Sequence, residues 1–240
     1  MSTPISTRRR QRGVTLIEIA LFSLISASLA AVLLKGEQLI DAARVRALIA
    51  QQSQIKTAFV AFQDRYRALP GDYAAAMLTI PGASAAGNGN GRVEANATPV
   101  GAGGTPFETP LIWDHLSRSG LLAGDYVFDP ANPVRSIPAN LYGGYVDIRF
   151  SNDYGNPTGP RVDRHILTTG NYIPALSLME IDRKLDDGNG LGGHFQFSAF
   201  RWGGAQPAAP GAAGGCTDSN GVWAGAVAGA PINCGGAWLL

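Results

Sequence analysis

The stretch RGVTLIEIALFSLISASLAAVLL, residues 12–34, decides the fold of the amino-terminal part of this chain. After Gly13 it holds 21 residues interrupted by a single charge, Glu18. As a helix, this run would measure about 31 Å, close to the thickness of the hydrocarbon core of a bilayer. Basic residues on the cytoplasmic side flank many membrane segments, and four arginines precede this one: Arg8, Arg9, Arg10 and Arg12. The stretch therefore predicts a membrane-spanning helix or the hydrophobic region of a cleaved secretory signal.

The composition excludes several classes of protein. Of the 240 residues, 45% are apolar, which excludes disorder along the whole length. The 31 glycines and 15 prolines, with only 15% charged residues, exclude a coiled coil along the whole length. The formal net charge of +1 gives no electrostatic case for nucleic-acid binding, and no nucleic-acid partner is expected.

Glu18 is the unusual residue of the apolar run. A charged side chain inside a spanning helix costs on the order of 2.5 to 3.5 kcal/mol on insertion scales, and such groups usually pair or serve a function. The next basic residue, Lys35, would lie about 25 Å further along a helix. Cleavage after Gly13 would instead give Val14 a free amino group four residues from Glu18. A neighbouring chain, staggered along the same axis, would present that amine to the carboxylate.

The segment from Arg12 to Glu18, with basic residues before it and a long apolar stretch after it, resembles the cleavage and assembly signal of type IV pilins and of the pseudopilins of type II secretion. The resemblance implies that prepilin peptidase cuts after Gly13 and methylates Val14, and that Glu18 guides filament assembly. Val14 departs from the phenylalanine common at that position. The patterns ALPGDY (residues 68–73) and WDHL (residues 113–116) are also similar to patterns in minor-pilin-like proteins with this signal.

The helix is expected to continue beyond the membrane segment. No proline occurs between Pro4 and Pro70, so one helix is predicted over residues 14–66. It has a membrane half (14–35) and an amphipathic half (36–68), in which apolar residues recur at helical spacing: Val45, Leu48, Ile55, Phe59, Phe62 and Tyr66, with Gln52 in the missing slot. Pro70-Gly71 ends it.

Residues 69–240 are predicted to form an α+β head with a surface loop over the glycine-rich residues 81–106. Asp72 is expected to cap a short helix over 73–78, and a helix is expected over 110–119 with His115 exposed on it. Strands are predicted at 145–150, 165–169 and 195–202, and a helix at 174–185. With the long amino-terminal helix packed on a small antiparallel sheet, this is the pilin architecture that the resemblance implies.

The acidic segment IDRKLDDG, residues 181–188, offers a weak calcium candidate. Asp182, Asp186 and Asp187 could supply hard oxygen ligands, although the spacing is not that of an EF-hand. The favoured interpretation is a solvated turn in which Asp186 or Asp187 bonds to nearby backbone. No other metal or cofactor is expected.

No catalytic set emerges from the sequence, and an enzyme is not expected. The three histidines lie far apart at positions 115, 165 and 194, and no HExxH, GxSxG or CxxC motif occurs.

A disulfide between Cys216 and Cys234 is predicted, because the chain after Lys35 would lie outside the cytoplasm, where thiols oxidise. The bridge would close the carboxy-terminal region over residues 216–234, as in many type IV pilins.

The predicted function is that of a structural subunit, a minor pilin or pseudopilin, of a type IV pilus or type II secretion filament. Its expected partners are prepilin peptidase, other subunits through the amino-terminal helix, and, before assembly, the inner membrane with the head in the periplasm. The long loop and the 227-residue mature length favour a minor subunit by family analogy. The alternative is a single-pass, membrane-anchored binding protein or adhesin with a periplasmic head.

Overall fold

The computed structural model describes residues 13, 15–94, 108–155, 162–225 and 230–240, and the side chains of residues 31–34 are not among those described. The expected leader before Gly13, the expected new terminus Val14 and residues 95–106 of the predicted loop lie outside the described residues. The chain divides into two compact units, residues 1–43 and 44–240. Helix α1, Leu16–Tyr66, contributes residues to both units.

In the first unit, α1 begins where the backbone N–H groups of Glu18 and Ile19 donate to the carbonyl of Thr15, at 3.1 and 3.2 Å. The described side chains from Leu16 to Ala30 are all exposed. By length and composition, this helix could cross a membrane. The predicted apolar amino-terminal helix is therefore present.

In the second unit, the amphipathic part of α1 supplies one wall of the core. The predicted stripe is confirmed at its central positions, and Gln52 is buried in the same row. These side chains belong to one cluster with residues of the sheet and of the later helices. The buried members of the stripe are Val45, Leu48, Ile55, Phe59 and Phe62.

The sheet has four antiparallel strands in the order β1-β2-β4-β3. Their bounds are Asp147–Ser151 for β1, Arg164–Thr168 for β2, Phe195–Phe197 for β3 and Gly236–Leu239 for β4. One row across the sheet consists of Ile148, Leu167, Trp238 and Phe195, all of them in the core. The predicted α+β class is confirmed, and the arrangement of a long helix with a small antiparallel sheet is compatible with a pilin fold.

The three strands predicted over 145–150, 165–169 and 195–202 differ from the structure mainly at their ends. The strand predicted over 195–202 ends at Phe197, because the N–H of Phe200 donates to the hydroxyl of Ser198 in a local turn instead of to a neighbouring strand. The other two predicted strands are shifted by one or two residues.

The short helices are α2 (Ala76–Thr79), α3 (Glu108–Arg118) and α4 (Ala175–Leu185), with a 3-10 helix at Pro133–Ser136. The helix at 174–185 was predicted almost to the residue. The one at 110–119 begins two residues earlier than predicted. The expected cap on 73–78 is wrong, because α2 starts only at Ala76 and the carboxylate of Asp72 binds a different segment.

Candidate functional site

The predicted assembly carboxylate lies in the first turn of α1. Glu18 is exposed and has no ion-pair partner among the residues that the structure describes. Gly13, which precedes the expected cleavage position, has no atom within 4 Å of where a side chain would begin. Both sequence-predicted residues are therefore open to a partner molecule, and Val14 between them lies outside the described residues.

The serines of the apolar run make their hydrogen bonds within the helix. The hydroxyls of Ser23, Ser26 and Ser28 donate to carbonyls three or four residues earlier, at 2.8 to 3.0 Å. Such bonds let a hydroxyl enter an apolar environment without losing its partner. Glu18, by contrast, has no described hydrogen-bond or ion-pair partner for its carboxylate.

The acidic turn after α4 brings Asp182, Asp186 and Asp187 together. One oxygen from each carboxylate lies within 4.8 Å of the others. Each carboxylate also has donors from the protein: Asp182 accepts from the indole of Trp223 at 2.6 Å and from the N–H of Gly188 at 3.1 Å.

The other two aspartates of the turn bind backbone, as the favoured interpretation predicts. Asp186 accepts from the N–H groups of His194 and Phe195, at the start of β3, and Asp187 accepts from that of Asn189. The carboxylates could serve as oxygen ligands, but these hydrogen bonds account for their positions without an ion. Calcium binding at this turn stays a prediction.

Burial governs the charge state of the groups around this turn. It raises the pKa of Asp182 to about 6, against the lowering effect of the Trp223 hydrogen bond. Burial also lowers the pKa of Lys56 to about 8, while the Coulombic effect of Asp186 raises it. The ammonium of Lys56 lies 3.5 Å from the centre of the Trp238 ring, so a cation–π contact ties α1 to β4.

The predicted disulfide is present between Cys216 and Cys234, whose Cα atoms are 5.7 Å apart. Cys234 pairs with Ile173 through two backbone hydrogen bonds, which attach this region beside the sheet. The indole of Trp223 lies inside the closed segment and reaches Asp182. The bridge and the acidic turn are therefore parts of one connected region.

A second polar cluster was missed by the sequence analysis. We call it the buried cluster; it consists of Asp72, Glu108, Asp114 and His115, all 4% exposed or less. Asp72 accepts from three successive backbone N–H groups, those of Gly89, Asn90 and Gly91.

Glu108 and Asp114 hold the same loop at other points. Glu108 accepts from the N–H groups of Asn88 and Glu94, both at 3.0 Å. Asp114 accepts from the N–H and hydroxyl of Ser84. Burial raises the pKa of Glu108 to about 7. The buried cluster thus fixes the described part of the glycine-rich loop.

The expectation that His115 is exposed is wrong, because its side chain is fully buried. Its Nδ1 accepts from the N–H of Gly71 at 2.9 Å, and its Nε2 lies 3.0 Å from the carbonyl of Ala85. This pair of partners requires a neutral imidazole with the proton on Nε2. Burial lowers the pKa of His115, which favours that neutral form.

The buried cluster joins the two sequence patterns ALPGDY and WDHL. Gly71 and Asp72 come from the first, and Asp114 and His115 from the second. The presence of both patterns in one chain was the sequence signal for this cluster. The two patterns are about forty residues apart, and nothing in that separation indicates that they are in contact in the fold.

Comparisons of the chain with protein-family models, with curated proteins and with solved structures found no match.

Proposed function

We propose that this chain is a structural subunit, a minor pilin or pseudopilin, of a type IV pilus or a type II secretion filament. In this proposal prepilin peptidase cuts after Gly13 in the inner membrane and methylates Val14. The head lies in the periplasm until the subunit joins other subunits through the amino-terminal part of α1.

The observation that carries the proposal is Glu18. It lies in the first turn of an exposed apolar helix, preceded by a basic flank, and has no described ion-pair partner. A lone carboxylate in an apolar environment gains most from a cation supplied by another molecule, because Coulomb attraction is strong where the dielectric constant is low. The amino group of a processed neighbour has the required charge.

Two further features agree with this function. The serine hydroxyls of the apolar run bond within their own helix, which suits a helix that leaves water. The disulfide suits an oxidising compartment such as the periplasm.

The test is the identity of the first residue of the protein recovered from cells that assemble it. Mass spectrometry should give a chain beginning at Val14 with an added methyl group. The Gly13→Val variant should stay uncut in the inner membrane, because a glycine without a side chain fits an extended substrate backbone at the peptidase. A wild-type protein that keeps its four arginines would instead indicate the anchored binding protein or adhesin.

Glu18→Val separates assembly from processing. We expect this variant to be cut normally but to enter filaments poorly, while Glu37→Val, an acid-to-valine change at another exposed position of α1, should assemble like the wild type. Equal incorporation of both variants would refute the role of Glu18.

A further inference from the structure

Arg164, the first residue of β2, is partly buried, and no described carboxylate pairs with its charge. Its Nε is inaccessible to solvent and has no acceptor, and the described residues provide its guanidinium with no ion pair or ring contact. Two other partly buried arginines of the head have carboxylate partners: Arg149 pairs with Asp147, and Arg118, whose Nε also lacks a hydrogen-bond acceptor, pairs with Asp114 and Asp125. An unpartnered buried polar group is costly and calls for a ligand or water.

Arg164 lines a pocket of about 360 Å³ at one end of the sheet. Leu239 also lines it, and the N–H of Leu239 donates to the carbonyl of His194 on the adjacent strand. His194 and Gln196 complete the side of the pocket that lies across β4 from Arg164. Because alternate residues of a strand face the same side, His194 and Gln196 point to one face.

The wall opposite Arg164 is held in place by hydrogen bonds. The amide of Gln196 donates to the carbonyls of Gly155 and Gly193 and accepts from the N–H of Gly155. All of these residues line the pocket. The pocket is therefore formed by fixed neighbours and does not depend on free rotation of the Gln196 amide.

The carboxylates nearest the pocket already have donors. Asp186 accepts from the N–H groups of His194 and Phe195, and Asp187 accepts from the N–H of Asn189. The other oxygen of Asp186 lies 4.0 Å from Nδ1 of His194. The described carboxylates near the pocket thus accept backbone hydrogen bonds, whereas the Nε of Arg164 has no described acceptor.

We propose that this pocket binds a small oxyanion, a carboxylate or phosphate group on a ligand of about monosaccharide size. The planar guanidinium of Arg164 would bind two oxygens of the anion side by side. The volume is at the lower end of the range for small-ligand sites, so a larger ligand would have to extend into solvent. This site is independent of whether the chain assembles into a filament.

The experiment is isothermal titration calorimetry of the full chain in a non-ionic detergent at constant ionic strength. The probes are sodium phosphate, sodium glucuronate and, as a neutral ring of similar size, glucose. We expect one anion site per chain, no saturable binding of glucose, and at least tenfold weaker anion binding by Arg164→Gln. The anion that binds with the higher affinity shows whether the natural oxyanion is a phosphate or a sugar carboxylate.

Arg135→Gln is the matched control, since Arg135 is an exposed arginine in the 3-10 helix away from the pocket. It should bind the anion like the wild type. Phenylglyoxal labelling of the wild-type chain, mapped by mass spectrometry, gives a second measurement that needs no variant. The anion should protect Arg164 and leave Arg135 reactive. Absence of saturable anion binding, unchanged binding by a folded Arg164→Gln variant, or lack of protection of Arg164 would overturn the proposal.

Discussion

The buried cluster and the acidic turn use similar side chains in opposite ways. The buried cluster collects its members from two distant patterns, and each of them binds backbone groups of another segment. The acidic turn takes three aspartates from six consecutive residues, and only Asp182 among them is fully buried. The first arrangement holds the described part of the glycine-rich loop through hydrogen bonds to its backbone, whereas the second ends a helix and anchors its neighbours.

Gly71→Ala should have the largest effect, because it acts on the buried cluster. Gly71 has a φ of +87°, and an added Cβ would lie 2.5 Å from the carbonyl oxygen of Glu108 and 2.7 Å from Cγ1 of Ile112. Backbone strain and the clash together should lower the free energy of unfolding by about 3 kcal/mol or more. The loss of stability is measured by urea unfolding of the full chain in detergent, with near-ultraviolet circular dichroism as the signal.

Gly91→Ala is the control for strain alone. Gly91 has a similar φ of +81°, but no atom lies within 4 Å of its added Cβ. We expect a loss of about 1 kcal/mol there. Equal losses in the two variants would show that the close contact of Gly71 with α3 is unimportant.

Trp223→Phe tests the buried hydrogen bond that the indole of Trp223 donates to Asp182 in the acidic turn. Loss of the indole donor should cost about 1 to 3 kcal/mol at pH 7 and raise the pKa of Asp182 further above about 6. The cost should shrink at pH 5, because a carboxyl whose pKa is raised on folding is protonated there and no longer carries an unpaired charge.

Trp113→Phe makes the same ring change in a fully buried tryptophan whose indole nitrogen has no acceptor among the described residues. Its cost should come from packing and stay the same at both pH values. If the two variants respond identically to pH, Trp223 contributes only packing to the turn.

The smallest effect concerns the pH dependence of the buried cluster. The pKa of His115 is lowered on folding, so the unfolded chain binds more protons as the pH falls below 6.5, and stability is lost in that direction. The wild type should exceed His115→Gln in stability at pH 7, and the difference should narrow on acidification by at most about 1.4 kcal/mol per pH unit. Stability measured from pH 7.5 to 5 tests this.

His194→Gln is the control, because the side chain of His194 is 80% exposed. It makes the same substitution without removing a buried ring. Glu108, whose pKa is raised to about 7, changes stability in the opposite direction, since the folded chain binds the extra proton between about pH 7 and 4.5. The contribution of Glu108 is common to the wild type and both variants. If the free energy of unfolding of the wild type and of His115→Gln changed with pH in the same way, the assigned role of His115 would be contradicted.

Local signals were sufficient where the chain follows one period or one turn. The helical spacing from Val45 to Phe62 predicted which face of α1 is buried, and alternation predicted β1 to within two residues. The position of Glu18 in an apolar run and the pairing of Cys216 with Cys234 were likewise available from the sequence. In each case the signal depends on neighbouring residues or on the number of cysteines.

Only the tertiary structure decided which of the isolated polar residues are buried and what they bind. His115 has the same local appearance as an exposed helix residue, and its burial depends on Gly71 and Ala85, which approach from other parts of the chain. Arg164 resembles any charged residue at the start of a strand until the strand order places it beside a pocket with no carboxylate for it. The sequence by itself therefore determined the long helix, the α+β class and the disulfide, because these follow from periodicity and covalent chemistry. Which polar side chains lose water was decided by contacts between distant segments, and that loss sets their hydrogen bonds and their charge.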